Sequence, residues 1–110
     1  PEYSELYPHV AFLLRYGKNA FLHEHSDIMD DECSECKLSL VLYFNSNFVG
    51  GEIYFPNTNL EYSPQAGSAL VYDPNPEEAY HGVRKVEEGI KYVLPVCLTI
   101  NKEKCAKEYR

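Results

Sequence analysis

Residues 81–93 read HGVRKVEEGIKYV, and they give the most direct indication of the fold. Two strand-like runs flank Glu87-Glu88-Gly89, which has the form of a three-residue hairpin loop with glycine in the left-handed third position. Such a loop pairs residues at equal distances from it: Val86 with Ile90, Lys85 with Lys91, and His81 with Pro95. Because side chains alternate along a strand, we expect Lys91 on the same face as His81, on the order of 13 Å away. A loop one residue longer or shorter would turn Lys91 outward.

Runs of the same kind recur along the whole chain, separated by Gly, Pro, Asn and acidic residues. β-branched and aromatic residues fill them, as is typical of strands. We predict eight strands, which are Pro8–Tyr16, Phe21–Asp27, Leu38–Phe44, Glu52–Phe55, Asn59–Tyr62, Ser68–Tyr72, His81–Val86 and Ile90–Ile100. The only helix that the sequence allows is a short one, near the acidic tract 30–36 or in the tail 102–110. The chain is therefore predicted to be all-β, a sandwich or barrel.

The length and charge of the chain limit the kinds of partner that it can have before any motif is considered. The chain has 110 residues, which suits one domain with a modest core, and its formal net charge is −7. That charge argues against nucleic acid as a partner, because phosphate binding needs a basic face, and it suits a basic peptide better. No apolar run approaches the roughly 18 residues of a membrane span, so no membrane partner is expected. The oligomeric state is not predicted.

The start of the sequence bears on the compartment. No signal-peptide pattern opens the chain, which favours the cytoplasm. A strand-like run begins only a few residues after Pro1, however, so a fragment of a longer protein is an alternative. In that case the endoplasmic reticulum is a second candidate compartment.

Four cysteines leave the redox compartment open. Cys33 and Cys36 form a CxxC pair in the acidic tract, Cys97 lies in an apolar run, and Cys105 lies in the charged tail. A zinc ribbon would need a second close pair, and a redox CxxC usually begins a helix after a strand. We therefore expect loop and core thiols, with a local disulfide between Cys33 and Cys36 as the alternative.

His25-Ser26-Asp27 places an imidazole and a carboxylate on one face of a strand, since residues two apart point the same way. This motif alone is a weak indication of a metal. With His81 it makes two histidines and one carboxylate, the facial triad of non-haem Fe(II) oxygenases. Such a triad leaves metal positions open for a chelating co-substrate and O2, whereas a structural zinc site is closed. We therefore predict that these three residues bind Fe(II).

Three further residues suit a carboxylate partner. Lys91 on the face of His81 would reach the far end of a five-carbon dicarboxylate bound at the metal, although most lysines are simply solvated. Tyr16 ends the strand before the His25-Ser26-Asp27 strand, and Tyr43 lies in Leu42-Tyr43-Phe44-Asn45. Their hydroxyls could help to bind a carboxylate. In a chain with ten tyrosines, however, packing is the default role of a tyrosine.

The order of these residues resembles that of the Fe(II)- and 2-oxoglutarate-dependent dioxygenases, in particular the prolyl 4-hydroxylase-like branch. The matching features follow one another across nearly the whole chain. They are Tyr16-Gly17, His25-x-Asp27, Leu42-Tyr43-Phe44-Asn45, Gly50-Gly51-Glu52 with Phe55, Pro64 and Gly67, His81-Gly82-Val83 and Gly89-Ile90-Lys91-Tyr92. The lysine ten residues after the last histidine is the most telling of them.

The resemblance implies a double-stranded β-helix, or jelly roll, of about eight strands that forms a single catalytic domain. It implies that His25, Asp27 and His81 are the iron ligands, and that Lys91 pairs with the C5 carboxylate of 2-oxoglutarate, assisted by Tyr16 and Tyr43. The implied reaction couples decarboxylation of 2-oxoglutarate to hydroxylation of a substrate C–H, with a prolyl residue of a peptide or protein favoured. Ascorbate is an accessory cofactor that the resemblance allows.

One departure from the family concerns the larger sheet, which helices usually brace. This sequence offers almost no helix. We therefore expect one face of that sheet to be exposed, covered by a partner chain, or bare because the chain is truncated.

A cupin is the main alternative, because His23-Glu24-His25 follows Gly17 at the spacing of a cupin metal motif. Under strict alternation His23 also shares the strand face of His25. The Glu expected three or four residues later is absent, however, since Met29-Asp30 stands there, and no second cupin motif is recognisable. We prefer the dioxygenase, with His23 either supporting a metal ligand or lining the pocket. A non-catalytic interaction module on the same barrel is the third interpretation, because fold does not fix function.

Overall fold

The computed structural model describes residues 5–28 and 36–101, and every regular element within these ranges is a β-strand. Eleven strands follow one another: β1 Tyr7–Ala11, β2 Leu14–Tyr16, β3 Leu22–His25, β4 Leu38–Tyr43, β5 Val49–Gly50, β6 Ile53–Phe55, β7 Leu60–Tyr62, β8 Ala69–Tyr72, β9 His81–Val83, β10 Val86–Glu88 and β11 Lys91–Thr99. The prediction of an all-β chain is confirmed. The places predicted for a short helix, up to residue 35 and after residue 101, lie outside the described residues. The described part also holds no helix that could cross a membrane.

Strand boundaries differ from the predicted ones in three places. The run Pro8–Tyr16 is interrupted at Phe12-Leu13, where both side chains are more than half exposed, and so becomes β1 and β2. The run His81–Val86 likewise divides into β9 and the start of β10. The two-residue strand β5 has no predicted counterpart, because so short a segment with a positive-φ glycine carries no strand pattern. The other predicted strands are present to within two residues.

Five strands form the larger sheet, in which all pairs are antiparallel. β11 lies at its centre, with β4 and then β8 on one side. On its other side β11 pairs first with β2 and then with β1 along its length. The longest strand of the protein therefore joins the two ends of the described chain in one sheet.

Four strands form the smaller sheet, in the order β3-β9-β6-β7, and β10 pairs with β5 beside it. The chain passes repeatedly between the sheets, since β4, β8 and β11 belong to the larger one and β6, β7 and β9 to the smaller one. This winding is the double-stranded β-helix, or jelly roll, that the sequence predicts. It places the inner faces of both sheets around one interior.

The interior is packed with β-branched and aromatic side chains. On β4 the buried positions alternate with half-buried ones, as expected for a strand with one face turned to a core. The buried apolar set is Tyr16, Val41, Tyr43, Val83, Val86 and Val93, with a second group of Ile53, Phe55 and Ala79. Polar side chains that lie among these residues are therefore held in an apolar surrounding, where charge interactions are strong.

The predicted hairpin through residues 81–95 is wrong. His81 pairs with His25 of β3 and Lys91 pairs with Tyr16 of β2, so these two residues belong to different sheets. Gly89 does have the predicted left-handed conformation, with φ of +80°, but it leads from β10 into β11 of the larger sheet. Turn chemistry fixes the local conformation of a loop, whereas the choice of strand partner depends on packing of the whole chain.

The outer face of the larger sheet is apolar. Leu42 and Leu94 are register partners on this face, and Val71 on β8 is 53% exposed. Within residues 5–28 and 36–101 no helix covers it. Whether this face is exposed, covered by a partner chain or bare through truncation stays a prediction.

Candidate metal centre

His25 and His81 face each other across neighbouring strands of the smaller sheet. They are register partners on β3 and β9, and their ring centroids lie 4.4 Å apart. Asp27 follows just after β3, with Oδ1 at 3.4 Å from Nε2 of His25 and 3.6 Å from Nε2 of His81. One ligand atom from each residue lies within 4.8 Å of the others. The structure thus brings together the three residues predicted as metal ligands.

Backbone carbonyls orient both imidazoles. Nδ1 of His25 lies 2.8 Å from the carbonyl oxygen of His23, and Nδ1 of His81 lies 2.6 Å from that of Ala79. A carbonyl oxygen only accepts, so each Nδ1 carries the proton and donates. In the neutral rings the lone pair is therefore on Nε2, the atom directed at the other two residues. Such bonds from the remote nitrogen are typical of metal-binding histidines.

The second oxygen of Asp27 is held from the opposite sheet. Oδ2 accepts hydrogen bonds from Oγ of Ser39 at 2.8 Å and from the hydroxyl of Tyr72 at 2.7 Å. Ser39 lies on β4 and Tyr72 on β8, both in the larger sheet. The carboxylate therefore spans the interior, with Oδ1 toward the histidines and Oδ2 toward the two hydroxyls.

The protonation states of Asp27 and His81 suit a divalent cation, which would displace the proton that the raised pKa of His25 favours. Burial alone would raise the pKa of Asp27, but the hydrogen bond with His25, the charge of His81 and the two hydroxyls outweigh it and lower the pKa to about 2. The hydrogen bond to Asp27 raises the pKa of His25, whereas burial lowers the pKa of His81. Asp27 is thus ionised and His81 neutral near pH 7, and these are the forms that bind metal.

The donor set fits a non-haem iron. Two imidazole nitrogens and one carboxylate oxygen converge, and no thiolate of residues 5–28 or 36–101 takes part in the cluster. The carboxylate would neutralise part of the charge of a divalent ion. His81 is 4% exposed, whereas His25 is half-buried. The cluster is therefore open on one side, as a site that must admit further ligands requires.

Lys91 is buried at the start of β11, with 1% of its surface exposed. Its Nζ donates a hydrogen bond to the carbonyl oxygen of Gly51 at 2.9 Å. In the described part of the chain no carboxylate lies within ion-pair distance of this ammonium group. Burial lowers the pKa of Lys91 to about 8, although the negative charge of Glu52 opposes the shift.

Two tyrosines flank the ammonium group of Lys91. Its Nζ lies 4.5 Å from the ring centroid of Tyr16 and 5.8 Å from that of Tyr43, so both rings make cation–π contacts. Burial raises the pKa of both phenols, which keeps their hydroxyls protonated and able to donate. The structure therefore places both tyrosines beside Lys91, with ring contacts that sequence reasoning did not include. Their predicted role in binding a carboxylate stays a prediction.

A cavity of about 350 Å³ between the sheets joins the two groups of residues. Its polar lining includes His25, Asp27, His81, Lys91, Tyr16 and Tyr43, and the rest is mainly aliphatic and aromatic. This volume is within the range of small-molecule sites, which are also mostly apolar with a few polar groups. Lys91 and the metal cluster thus face the same interior space, although from different sheets.

Comparison with protein families agrees with this geometry. The family model of the 2OG-Fe(II) oxygenase superfamily matches residues 11–97, most of the chain. The chain belongs to the 2OG-Fe(II) oxygenase superfamily. The matched segment contains all six residues predicted to bind metal or co-substrate.

Individual relatives of this superfamily are longer than the chain. A protein of Acanthamoeba polyphaga mimivirus, provisionally named a prolyl 4-hydroxylase, is 33% identical over 56% of this chain and 30% of its own length. A 2OG-Fe(II) oxygenase of Burkholderia pseudomallei has a TM-score of 0.76 at 20% identity, covering 88% of this chain and 45% of that one. The collagen prolyl hydroxylase of Paramecium bursaria Chlorella virus-1 has a TM-score of 0.69 at 21% identity, covering 90% and 63%. The two structures share the fold, and the chain spans 30% to 63% of the three relatives.

His23 lies on the outside of the smaller sheet. Its exposed ring packs edge-on against Phe21, with 4.8 Å between centroids. The register of β3 shifts between Leu22 and His25, so that both of these line the cavity while His23 lines an outer groove. The prediction that the side chain of His23 shares the face of His25 and lines the pocket is therefore wrong, although the backbone carbonyl of His23 supports a metal ligand by accepting the hydrogen bond from Nδ1 of His25. The cupin interpretation needed His23 as a metal ligand, and the structure does not place it at the metal cluster. The match to the 2OG-Fe(II) oxygenase superfamily supports the dioxygenase interpretation instead.

Ser39 and Tyr72 are functional candidates that sequence reasoning missed. Both lie within predicted strands, and Ser39 is a polar residue in the otherwise apolar run Leu38–Tyr43. A buried hydroxyl in such a run needs a partner, which is a usable signal. The identity of the partner, Asp27, follows only from the way the two sheets face each other across the interior.

Cys36 and Cys97 are thiols, as predicted for these two positions. Cys36 is buried, and its Sγ lies 3.6 Å from Oγ of Ser39. A hydrogen bond with the side chain of Cys97 lowers the pKa of Cys36, while burial opposes the shift. Cys33 and Cys105 lie outside the described residues, so the expectation of thiols at these two positions stays a prediction.

Proposed function

We propose that the protein is a hydroxylase that uses Fe(II), held by His25, Asp27 and His81, together with 2-oxoglutarate, whose C5 carboxylate binds Lys91. The proposal covers the activity of the whole protein as well as these residue roles. It goes beyond membership of the superfamily, because a member can retain the fold and lose the reaction.

The observation that carries the proposal is the burial of Lys91 in the cavity that also contains the metal cluster. A buried cation without a carboxylate partner in the described chain costs free energy unless an anion compensates it. Its single hydrogen bond to Gly51 leaves two of its three donors available. A dicarboxylate with one end at the metal and the other at Lys91 would satisfy both charged groups.

The residues that line the cavity have different proposed roles in the reaction. Bound iron would let O2 act as the oxidant: one oxygen atom would enter the substrate C–H bond as a hydroxyl, and the other would enter 2-oxoglutarate, which would leave as succinate and CO2. The histidines and Asp27 fix the metal, and Lys91 fixes the far end of the co-substrate. The hydroxyls of Tyr16 and Tyr43 would donate to that carboxylate as well. The aliphatic walls exclude water, which strengthens each of these polar contacts.

A prolyl residue in a peptide or protein is the proposed substrate. Support comes from the names of the two viral relatives, both called prolyl hydroxylases. The net charge of −7 favours a basic peptide over an acidic one, because opposite charge speeds encounter. Ascorbate is proposed as an accessory reductant that keeps the iron in the ferrous state.

The direct test is turnover of labelled 2-oxoglutarate by the Fe(II)-loaded protein in air, with ascorbate and a panel of proline-containing basic and acidic peptides. We expect succinate release that depends on both iron and O2. The peptide that stimulates release should gain the mass of one oxygen atom. Anaerobic samples and samples with chelator serve as controls.

Two variants separate the roles. His81→Ala should lose metal binding and turnover together, whereas Lys91→Ala should keep the metal and lose affinity for 2-oxoglutarate. Metal and 2-oxoglutarate binding without any succinate release, across the whole panel, would favour the non-catalytic interaction module. Unchanged affinity for 2-oxoglutarate in Lys91→Ala would contradict the role given to this lysine.

A further inference from the structure

We infer that Ser39 and Tyr72 are positioning residues that restrict Asp27 to a single metal-binding oxygen, an inference that rests on the proposed function. Neither residue is among the predicted site residues. Neither belongs to the metal cluster. They act on the metal through the carboxylate, and so they bear on how many coordination positions the protein occupies.

The two hydroxyls converge on one atom. Ser39 and Tyr72 are register partners on β4 and β8, so their side chains leave the larger sheet side by side. Both donate to Oδ2 of Asp27, at 2.8 Å and 2.7 Å. Ser39 is 2% exposed, which makes it a buried donor directed at the carboxylate.

This arrangement separates the two carboxylate oxygens by role. A carboxylate oxygen has about two lone-pair sites, and both sites on Oδ2 are used by the two hydroxyls. Oδ1 lies on the histidine side, at 3.4 Å and 3.6 Å from the two Nε2 atoms. Oδ1 is therefore the oxygen that remains for a metal.

Tyr72 does not compete with the metal for His81. Its hydroxyl lies 3.3 Å from Nε2 of His81, but its single proton is directed to Asp27 over the shorter distance. Nδ1 of His81 donates to Ala79, so the lone pair on Nε2 stays available in the neutral ring. The hydroxyl of Tyr72 thus orients the carboxylate of Asp27 and leaves Nε2 of His81 free to bind a metal.

The number of open positions follows from this geometry. Two nitrogens and one oxygen leave three positions of a six-coordinate metal, enough for a two-point chelate and one small molecule. A carboxylate that bound through both oxygens would occupy one of these three. Ser39 and Tyr72 therefore keep a position open that the proposed reaction needs.

The test uses Co(II), whose visible absorption depends strongly on coordination number, so it reports on the ligands directly. The variants are Ser39→Ala, Tyr72→Phe and the double variant, each lacking only hydroxyl oxygens. We expect the double variant to bind Co(II) about 10- to 100-fold more weakly. We also expect an altered Co(II) spectrum and weaker binding of 2-oxoglutarate to the Co(II)-loaded protein. Each single variant should show a smaller effect in the same direction.

Tyr62→Phe is the matched control, since it removes a half-buried hydroxyl that bonds to Ser68 at 2.8 Å, away from the metal cluster. A purely structural role of Ser39 and Tyr72 would lower the melting temperature and leave the Co(II) spectrum unchanged, and this result would overturn the inference. If one variant does not fold, the other carries the test. Absence of Co(II) binding by the unmodified protein would instead overturn the proposed function together with the inference.

Discussion

Lys91 is the residue whose environment departs most from the ordinary one. Lysine is among the residues most rarely buried without a partner, yet this side chain is almost completely inside. Its ammonium group lies between a carbonyl oxygen and two aromatic rings, which stabilise the charge without neutralising it. We interpret this environment as a preformed anion site that the protein maintains at some cost in stability.

Replacement Lys91→Met tests this interpretation. Methionine fills a similar volume without charge, so the melting temperature of the protein without co-substrate should stay the same or rise. Affinity for 2-oxoglutarate should fall about 10- to 100-fold, as expected when a charged hydrogen bond of about 1.5–3 kcal/mol is lost. Calorimetric titration and thermal unfolding measure the two effects. A lower melting temperature with unchanged affinity would mean that Lys91 is structural.

Binding of 2-oxoglutarate should depend on pH through the same lysine. Without ligand the pKa of Lys91 is lowered to about 8, whereas a bound carboxylate favours the charged form and raises it. Affinity should therefore be constant below pH 8 and fall about tenfold per unit above it. Titrations of the Co(II)-loaded protein between pH 6.5 and 9.5 would show the change (the range brackets a pKa of about 8). In Lys91→Met the decline above pH 8 should be absent.

At the scale of single residues, the sequence identified the candidate metal and co-substrate ligands but not the residues that hold these ligands in place by hydrogen bonds. His25, Asp27 and Lys91 were found from alternation and from the resemblance to a family. Ser39 and Tyr72 were missed because a serine in a strand and one tyrosine among ten have ordinary roles by default. Their function depends on two strands becoming neighbours, which no local pattern encodes.

Among the structural elements, the turn before β6 controls the position of Lys91. Gly51 has φ of +71°, and a Cβ placed there would lie 3.2 Å from Cδ of Lys91 and 3.1 Å from the ring of Phe48. The carbonyl of the same glycine accepts the hydrogen bond of Lys91. The turn thus needs glycine for its conformation and for the space beside the lysine.

Replacement Gly51→Ala should disturb both functions of this turn. The left-handed conformation costs about 1–2 kcal/mol for a residue with a Cβ, and the contact with Lys91 should lower affinity for 2-oxoglutarate several-fold. Gly67→Ala is a matched control, because Gly67 has φ of +78° with nothing within 4 Å of the added Cβ. Both variants should lose stability in denaturant unfolding. Equal co-substrate affinity in the two variants would contradict the role of this turn.

Element positions were predicted well, whereas strand pairing was not. Most strands lie within two residues of their predicted bounds, because alternation and turn residues are local signals. The hairpin between His81 and Lys91 failed, since β10 leaves the smaller sheet to pair with β5. Lys91 nevertheless faces the cavity, because its own pairing with Tyr16 turns it inward. The predicted orientation was thus obtained through a different partner.

For the molecule as a whole, metal binding should be coupled to folding stability. A metal at a hundred times its dissociation constant adds about 2.7 kcal/mol to the free energy of unfolding if only the folded state binds it. For a domain of this size that corresponds to a rise in melting temperature on the order of 10 °C. Differential scanning fluorimetry with Mn(II) or Co(II) should show this rise.

Two controls test this stabilisation, one with a different metal ion and one with a variant of the protein. Ca(II) at the same concentration should have little effect, because it requires more oxygen ligands than the cluster provides. In His81→Ala the shift with Co(II) should be absent. A similar shift in this variant would indicate that the stabilising ion binds elsewhere on the protein.

The edge position of β3 has a consequence for how the protein behaves when iron is scarce. β3 is a short outer strand with an irregular register, and it carries His25, whereas His81 belongs to the inner neighbour β9. A metal ion bound by His25 and His81 would act as a cross-link between the edge strand β3 and the other strands of the smaller sheet. Depletion of the metal would thus loosen β3 first and expose its backbone amides to hydrogen exchange. The concentration of free metal would in this way influence the local stability of β3 as well as the occupancy of the site.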